Sequence, residues 1–358
     1  MRSSPSSSDF RENVPLAPFT SLGVGGPARF MAEAQTEAQV IDALEFAEVH
    51  GLEVFILGGG TNILVSDAGF PGLVIRIALR GIEKTTRGLV TAAAGEEWDP
   101  FVSGCVEQNL AGLECLSGIP GTVGGTPVQN VGAYGQEVGE VIISVRAVDR
   151  KIRQVFVLSN DACGFAYRTS VFNTADRDRY VVLSVAYDLR AAGEPRITYP
   201  DLHRSFAGRT GRPSLAEVRA AILRIRESKS MVLRPGDPDS RSAGSFFKNP
   251  VVPQDRIPPI EDTARRLGGM PAGESVPRYA MPDGMVKLPA AWLIEHAGFA
   301  KGYSRGRAGL SSRHALALIN RGGATAQELL DLMREIQSAV HQSFGIELVP
   351  EPVFVGFA

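Results

Sequence analysis

At 358 residues the chain exceeds what one hydrophobic core usually organises, so two or three compact units are expected. A 44% hydrophobic fraction beside 21% charged residues is that of a globular chain, and a formal net charge of -2 excludes the strongly basic surface that nucleic-acid binding demands. Three cysteines, Cys105, Cys115 and Cys163, lack C-x-x-C spacing, which excludes a disulfide framework or zinc knuckle and fits the reducing cytoplasm.

The N-terminal stretch MRSSPSSSDFRENVP is polar and serine-rich, with no apolar run to serve as signal or membrane anchor, and residues 1–15 are expected as a frayed tail. From Thr36 to His50 the residues Val40, Ala43, Leu44 and Ala47 recur at helical spacing, and Gly51 supplies a stop. The run Val54 to Leu57, the cluster Gly58-Gly59-Gly60-Thr61-Asn62 and the run Leu73 to Ile77 read as strand, loop, strand. A helix carrying Trp98, Val102, Cys105, Val106 and Asn109 leads into SGIPGTVGGTPVQNVGAYG, Ser117 to Gly135, too long for a turn. Alternation over Val141 to Val148, Gln154 to Leu158 and Val181 to Leu189 predicts sheet. At Ser214 a capping-box pattern with Glu217 precedes Leu215, Val218, Ile222 and Ile225, and a second unit is expected to open there. Within it, Pro289 to Ala297 and Thr325 to Val340 read as helices, Ala315 to Ile319 as a strand and Ile346 to Phe357 as strand-like.

No G-x-x-x-x-G-K-[ST] is present, so triphosphate chemistry has no P-loop to rest on. His50, His203, His296, His314 and His341 are isolated from one another and from the cysteines, and no metal is assigned. The first glycine cluster departs from a dinucleotide fingerprint, because Ile63 stands where a third glycine belongs and the following residues turn instead of opening a helix. Successive glycines can still present amides as an anion-binding nest, although a plain tight turn accounts for this cluster equally well by itself. A second loop with Gly121, Gly124, Gly125, Gly132 and Gly135 lets backbone approach a ligand closely, so the two together favour one large anionic ligand.

These segments, GGGTN, IPGTVGGTPVQNVGAYG, FAYRTSVF, AGSFFKNP and LVPEPVF, resemble in content and order those of the UDP-N-acetylenolpyruvoylglucosamine reductase family, over about Pro18 to Phe354. The resemblance implies an α+β chain. An FAD-binding fold of the vanillyl-alcohol-oxidase (PCMH) type would occupy residues 16–213 as two subdomains, about 16–78 and 79–213. A separate α+β substrate domain would follow over 214–345, and a C-terminal strand over 346–358 would return to the active site with Glu351. It further implies non-covalent FAD, with NADPH as hydride donor and UDP-N-acetylglucosamine enolpyruvate as substrate, in peptidoglycan synthesis. The protein is expected in the cytoplasm, without membrane insertion or a nucleic-acid partner. No dimer surface is legible in the sequence, and a monomer is expected.

Carried over residue by residue, the resemblance places flavin contacts on Gly58, Gly59, Gly60, Thr61 and Asn62, on Ile119, Pro120, Gly121, Gly124, Gly125 and Thr126, on Gly132, Ala133, Tyr134 and Gly135, and on Val182. It assigns catalysis to Arg168, Ser245 and Glu351. In the family's reaction a hydride reaches the methylene carbon of an enolpyruvyl ether and negative charge runs into the neighbouring carboxylate, a need that a guanidinium fork answers. The adjacent carbon then takes a proton, for which the Ser245 hydroxyl is the donor, while Glu351 contributes only with a proton held on it. Taken singly, Ser245 reads as a turn serine, Arg168 as a surface ion pair and Glu351 as an exposed acid.

The resemblance assigns the substrate's diphosphate to Tyr199, Lys229, Asn249, Tyr279 and Lys301, and Tyr199 points to the subclass whose loop tyrosine folds over the diphosphate. The sequence departs from the family at Gly59 and Thr61, where many relatives carry an acid and a serine, and at His314, where an amide is expected. The arginines Arg204, Arg209, Arg212, Arg219, Arg224 and Arg226 read mostly as a solvated helix face, with Arg226 a candidate for the diphosphate site. Two rival readings are an oxidase on the same cofactor fold and a non-catalytic UDP-sugar binder. The first has no use for the serine of AGSFFKNP, and the second none for an intact arginine, serine and glutamate.

Overall fold

The computed structural model describes residues 10–85, 88–271 and 273–357. The chain forms two compact units. The first comprises residues 1–14, 27–60 and 70–232, and the second comprises 15–26, 61–69 and 233–358.

Two larger sheets, of four and five strands, lie in the first unit. In one, the strands lie in the order Arg11–Pro15, Pro27–Ala34, Phe70–Ile77, Val54–Leu57, and the last three run parallel. The helix Glu37–Val49 crosses over from Pro27–Ala34 to Val54–Leu57, the two strands flanking Phe70–Ile77, and its Thr36 and Gln39 complete a reciprocal capping box. Val40, Ala43, Leu44 and Ala47 form its buried face, as the periodicity predicts. The other sheet is antiparallel, in the order Val155–Ser159, Ile142–Asp149, Tyr180–Asp188, Leu89–Ala93, Ile82–Lys84.

The helix Trp98–Glu107 anchors the long glycine stretch at its start. Trp98 is buried with its indole N–H donating to the Leu116 carbonyl at 3.0 Å, and the Asp99 carboxylate accepts the Gly118 amide at 2.5 Å. Cys105, Cys115 and Cys163 are free thiols buried in this unit. Burial pushes Cys105 up to about 12 and Cys163 to about 11, so they are core residues and not nucleophiles.

The organisation differs from the expected bounds at three points. Residues 1–9 of the expected tail lie outside the described residues, but Arg11–Pro15 is a paired edge strand. The helix Leu215–Ser228 does carry its Ser214 capping box, yet it belongs to the first unit, and the division falls at Leu233 instead of 214. The cause is side-chain chemistry. Val218, Ala221 and Ile222 pack with Cys115 and Leu202, and Arg219 forks onto Asp99 at 2.5 and 2.8 Å. Nor is the expected 16–78 subdomain one continuous piece, since 15–26 and 61–69 pack with the second unit.

The second unit is built on the helix Ala326–Phe344, capped reciprocally by Thr325 and Glu328 and ended at Gly345 with a φ of 62°. Its face of Leu329, Met333, Ile336 and Val340 shares a core with Leu22, Leu64, Phe246, Phe247 and Leu293. The helix Ala290–His296 appears where predicted. The strand expected at Ala315 to Ile319 is Leu318–Asn320, and the strand-like C-terminus narrows to Val353–Val355, because Pro350 and Pro352 interrupt what precedes it. That strand pairs in parallel with Ile63–Val65, so the end of the chain meets the residues just after the first glycine cluster.

Candidate functional site

The two glycine loops meet within the first unit. A Cβ on Gly59 would lie 2.6 Å from the Gly121 Cα, and one on Gly58 would lie 2.9 Å from the Thr122 hydroxyl, so the loops touch backbone to backbone. Among the described residues no hydrogen bond uses the amides of Gly59 and Gly60, and Gly60 has a φ of 63°. The second loop is rigid: Val123 donates to Glu96, Gly124 to Ala94 and Gly125 to Thr122, and the Thr126 hydroxyl reaches the Val123 carbonyl at 2.8 Å. Ile119 and Pro120 are half-buried at its entry. A Cβ on Gly125 would meet nothing within 4 Å. Gly59 and Gly60 amides that make no hydrogen bond among the described residues, with a side-chain-free edge, suit a flavin nucleotide's phosphates and ring, so the residues present fit FAD. Val182 stands in the core of the antiparallel sheet, 8% exposed.

Gly132 and Ala133 pair with Glu137 and Gln136 in a hairpin whose turn residues, Tyr134 and Gly135, have φ of 51° and 83°. Positive φ at both positions is what a type I′ turn demands, and here a tyrosine takes the first of them. Beside the hairpin, Ala166 and Thr169 exchange backbone hydrogen bonds at 3.0 Å, closing a turn that presents Tyr167 and Arg168. Arg168 has a φ of 54° at a position that glycine or asparagine normally fills. Its Nη2 donates to the Gly132 carbonyl at 2.8 Å, and its guanidinium lies 5.5 Å from the Tyr167 ring centre. Arg168 is half-buried, and its left-handed backbone carries a steric cost.

In the second unit Ser245 and Glu351 come together through backbone. Glu351 donates its amide to Phe246 at 2.9 Å, Lys248 donates to Val349 at 2.9 Å, and Phe247 bridges Pro350. Gly244, with a φ of 75°, turns the chain so that Ser245 is half-buried between Gly244 and the fully buried Phe246. Asn62 joins them: its Nδ2 donates to the Glu351 carbonyl at 3.3 Å, and its own carbonyl accepts the Val353 amide at 2.9 Å. Asn249 accepts the Ala290 amide at 2.9 Å at the start of the helix Ala290–His296.

The remaining substrate candidates divide between the units. Tyr199 and Lys229 lie in the first. The Tyr199 ring meets the Tyr134 ring edge-on at 5.3 Å, and Lys229 Nζ binds Asp201 at 3.0 Å. Arg226, the arginine set apart as a candidate for the diphosphate site, is 6% exposed and donates to the Met231 carbonyl at 2.7 Å. Burial lowers its pKa, although the charge is retained, and burial raises that of the Tyr134 phenol. Arg219 also turns inward, whereas Arg204 and Arg209 form surface pairs with Asp201 and Glu217. Asn249, Tyr279 and Lys301 lie in the second unit. Tyr279 is 39% exposed with Lys287 Nζ 5.8 Å from its ring centre, and Lys301 pairs loosely with Glu295 at 4.0 Å. His314 is half-buried in the turn before Leu318–Asn320.

Sequence reasoning missed Asn130 and Asp201. Asn130 lies inside the glycine stretch, where periodicity carries no signal, and Asp201 reads as an ordinary first-turn acid. Among the described residues no helix is long and apolar enough to cross a membrane.

Comparison with known proteins adds to this geometry. The model of an FAD binding domain matches residues 28–154, and that of the UDP-N-acetylenolpyruvoylglucosamine reductase C-terminal domain matches 237–355. A UDP-N-acetylenolpyruvoylglucosamine reductase from Thermobifida fusca is 47% identical over 97% of this chain and 98% of its own length. One from Streptomyces coelicolor is 45% identical over 97% and 90%. The crystal structure of the enzyme from Thermus caldophilus superposes with a TM-score of 0.66 at 25% identity, covering 97% of this chain and 99% of that one.

Proposed function

The chain belongs to the UDP-N-acetylenolpyruvoylglucosamine reductase family, and from that premise we propose that Arg168, Ser245 and Glu351 carry its chemistry. It is an FAD-dependent oxidoreductase that reduces UDP-N-acetylglucosamine enolpyruvate to UDP-N-acetylmuramate in peptidoglycan synthesis, on an α+β flavin fold of the vanillyl-alcohol-oxidase type. Bound FAD supplies two-electron hydride chemistry between NADPH and the enolpyruvyl group. The residues Gly58 to Asn62, Ile119 to Gly121 and Gly124 to Thr126, with the hairpin Gly132 to Gly135 and Val182, would hold it.

Arg168 then holds the substrate carboxylate, where its permanent charge offsets the negative charge that develops as the methylene carbon is reduced. Ser245 Oγ gives its proton to the adjacent carbon. A free alcohol is a weak acid, but the acceptor is an enolate-like carbon and strongly basic, so a positioned hydroxyl suffices. Glu351 serves as a hydrogen-bond donor to the same carboxylate when it carries a proton. Tyr199, Lys229, Asn249, Tyr279 and Lys301 bind the diphosphate, and Arg226 is a further candidate for it. This assigns the protein to the subclass with a substrate-loop tyrosine, acting as a cytoplasmic monomer. The observation that carries the reading is the bond from the Glu351 amide to Phe246, which brings the acid-bearing segment beside Ser245.

One experiment tests it. Purified protein should be yellow, NADPH should bleach the flavin, and the enolpyruvyl UDP-sugar should restore its colour with formation of UDP-N-acetylmuramate. Colourless protein that takes up no FAD, or a flavin reduced faster by alcohols than by NADPH, would overturn it.

A further inference from the structure

We propose that Asn130 is the positioning residue for Arg168, acting by fixing the turn that presents the guanidinium. Its carboxamide is fully used inside the first unit. Nδ2 donates to Glu137 Oε2 at 2.8 Å and to the Ala166 carbonyl at 3.0 Å, while Oδ1 accepts the Gly139 amide at 2.9 Å. Asn130 is 2% exposed and has a φ of 46°, a conformation that asparagine tolerates better than most residues.

The bonds form a circuit. Ala166 opens the turn, Arg168 sits in it, and Arg168 Nη2 returns to the carbonyl of Gly132, two residues beyond Asn130. The far end of the turn is tied separately, through Ser170 Oγ to the Val128 carbonyl at 2.6 Å and Asn173 Nδ2 to the Arg168 carbonyl at 3.1 Å. Asn130 thus lets the glycine stretch grip the entry to the turn through a side chain.

The chemistry of the site admits few substitutes. Two donors and one acceptor are needed at a left-handed backbone position. Aspartate supplies no donor and would set a second carboxylate against Glu137. Glutamine keeps the groups but displaces them by one methylene, and alanine leaves a part-buried carboxylate oxygen and a carbonyl without their donor. Displacement of a substrate-positioning group by about 1 Å costs up to about 10²-fold in rate, which is the scale on which this support acts.

The inference rests on Arg168 acting on the substrate, so the test separates the two. Asn130→Asp and Asn130→Gly, the latter compatible with the backbone, are compared in the wild-type and Arg168→Ala backgrounds by stopped flow. In the wild-type background NADPH should bleach the flavin within twofold of normal, and reoxidation by the enolpyruvyl substrate should slow at least tenfold. With Arg168→Ala in place, the same substitutions should cost less than twofold further, because their effect passes through the missing guanidinium. An equal loss in both backgrounds overturns the inference. If Arg168→Ala itself leaves reoxidation intact, the functional reading fails instead. A readout without flavin is hydrogen exchange in the flavin-stripped protein, where Asn130→Gly should speed exchange at the Ala166 and Thr169 amides at least tenfold. Unchanged exchange there also overturns it.

Discussion

The amide of Glu351 donates to the carbonyl of Phe246 at 2.9 Å, tying the last segment of the chain to the residue that follows Ser245. The link is made by backbone, so the Ser245 side chain can be changed without releasing it. Ser245→Ala should therefore fold and bind FAD as the wild type does. Flavin reduction by NADPH should be nearly normal, and reoxidation by the enolpyruvyl substrate should fall by about 10²–10⁴-fold, the usual contribution of a positioned proton donor. Stopped-flow absorbance of the two half-reactions measures this. Equal loss in both would assign the serine a structural role.

Arg168 supports a different kind of prediction because its backbone is strained, with a φ of 54°. Both Arg168→Ala and Arg168→Gly remove the guanidinium and should slow reoxidation alike, to a residual rate that stopped flow still resolves. Glycine relieves the left-handed penalty and alanine does not, so the glycine variant should be the more stable of the two by about 1–2 kcal/mol. Thermal unfolding of the pair decides it. Equal stabilities would mean that the turn is not strained.

The helix Leu215–Ser228 is tied to the first unit through Arg219 and Asp99, and that tie depends on pH. Burial alone would raise the pKa of Asp99, but hydrogen bonds from Arg219 and the Gly118 amide outweigh it and hold the carboxyl below its ordinary value of 3.8. A depressed folded value means that the unfolded chain takes up protons first. The stabilisation is then fully present above about pH 4 and is lost as pH falls through the folded value. Asp99→Asn should lower the unfolding temperature near pH 6 and flatten its decline between pH 5 and 3. Melting curves that fall in parallel for wild type and variant would remove Asp99 from the acid response.

Much of this was legible in the residues. Helices with a periodic apolar face and a side-chain cap, such as Glu37–Val49 and Ala326–Phe344, declare both their start and their buried side, and the structure reproduces them. The boundary between units was not, because Leu215–Ser228 is amphipathic whichever core it faces, and its destination is set by Asp99 and Cys115 far away in sequence. The edge strand Arg11–Pro15 is hidden by its polar composition, and the helix Ile257–Arg266 by the prolines at its start. Within the site, glycine density announced the loops, but the role of Asn130 follows only from the turn at Ala166, which no local pattern places beside it.

The glycines themselves separate cofactor binding from folding. Gly59→Ala would push a methyl group to within 2.6 Å of the Gly121 Cα, backbone that cannot yield, so both stability and flavin content should fall. Gly125→Ala meets nothing within 4 Å and has no positive φ to penalise it, so the protein alone gives no reason for harm. If Gly125 borders the flavin, its alanine variant should keep the melting temperature of the flavin-stripped protein within about 1 °C while weakening FAD binding at least tenfold, a cost of about 1.4 kcal/mol. Flavin fluorescence during titration of the stripped protein gives the affinity. Unchanged affinity in a stable Gly125→Ala protein would move the flavin away from this loop and return its glycines to the role of turning the chain.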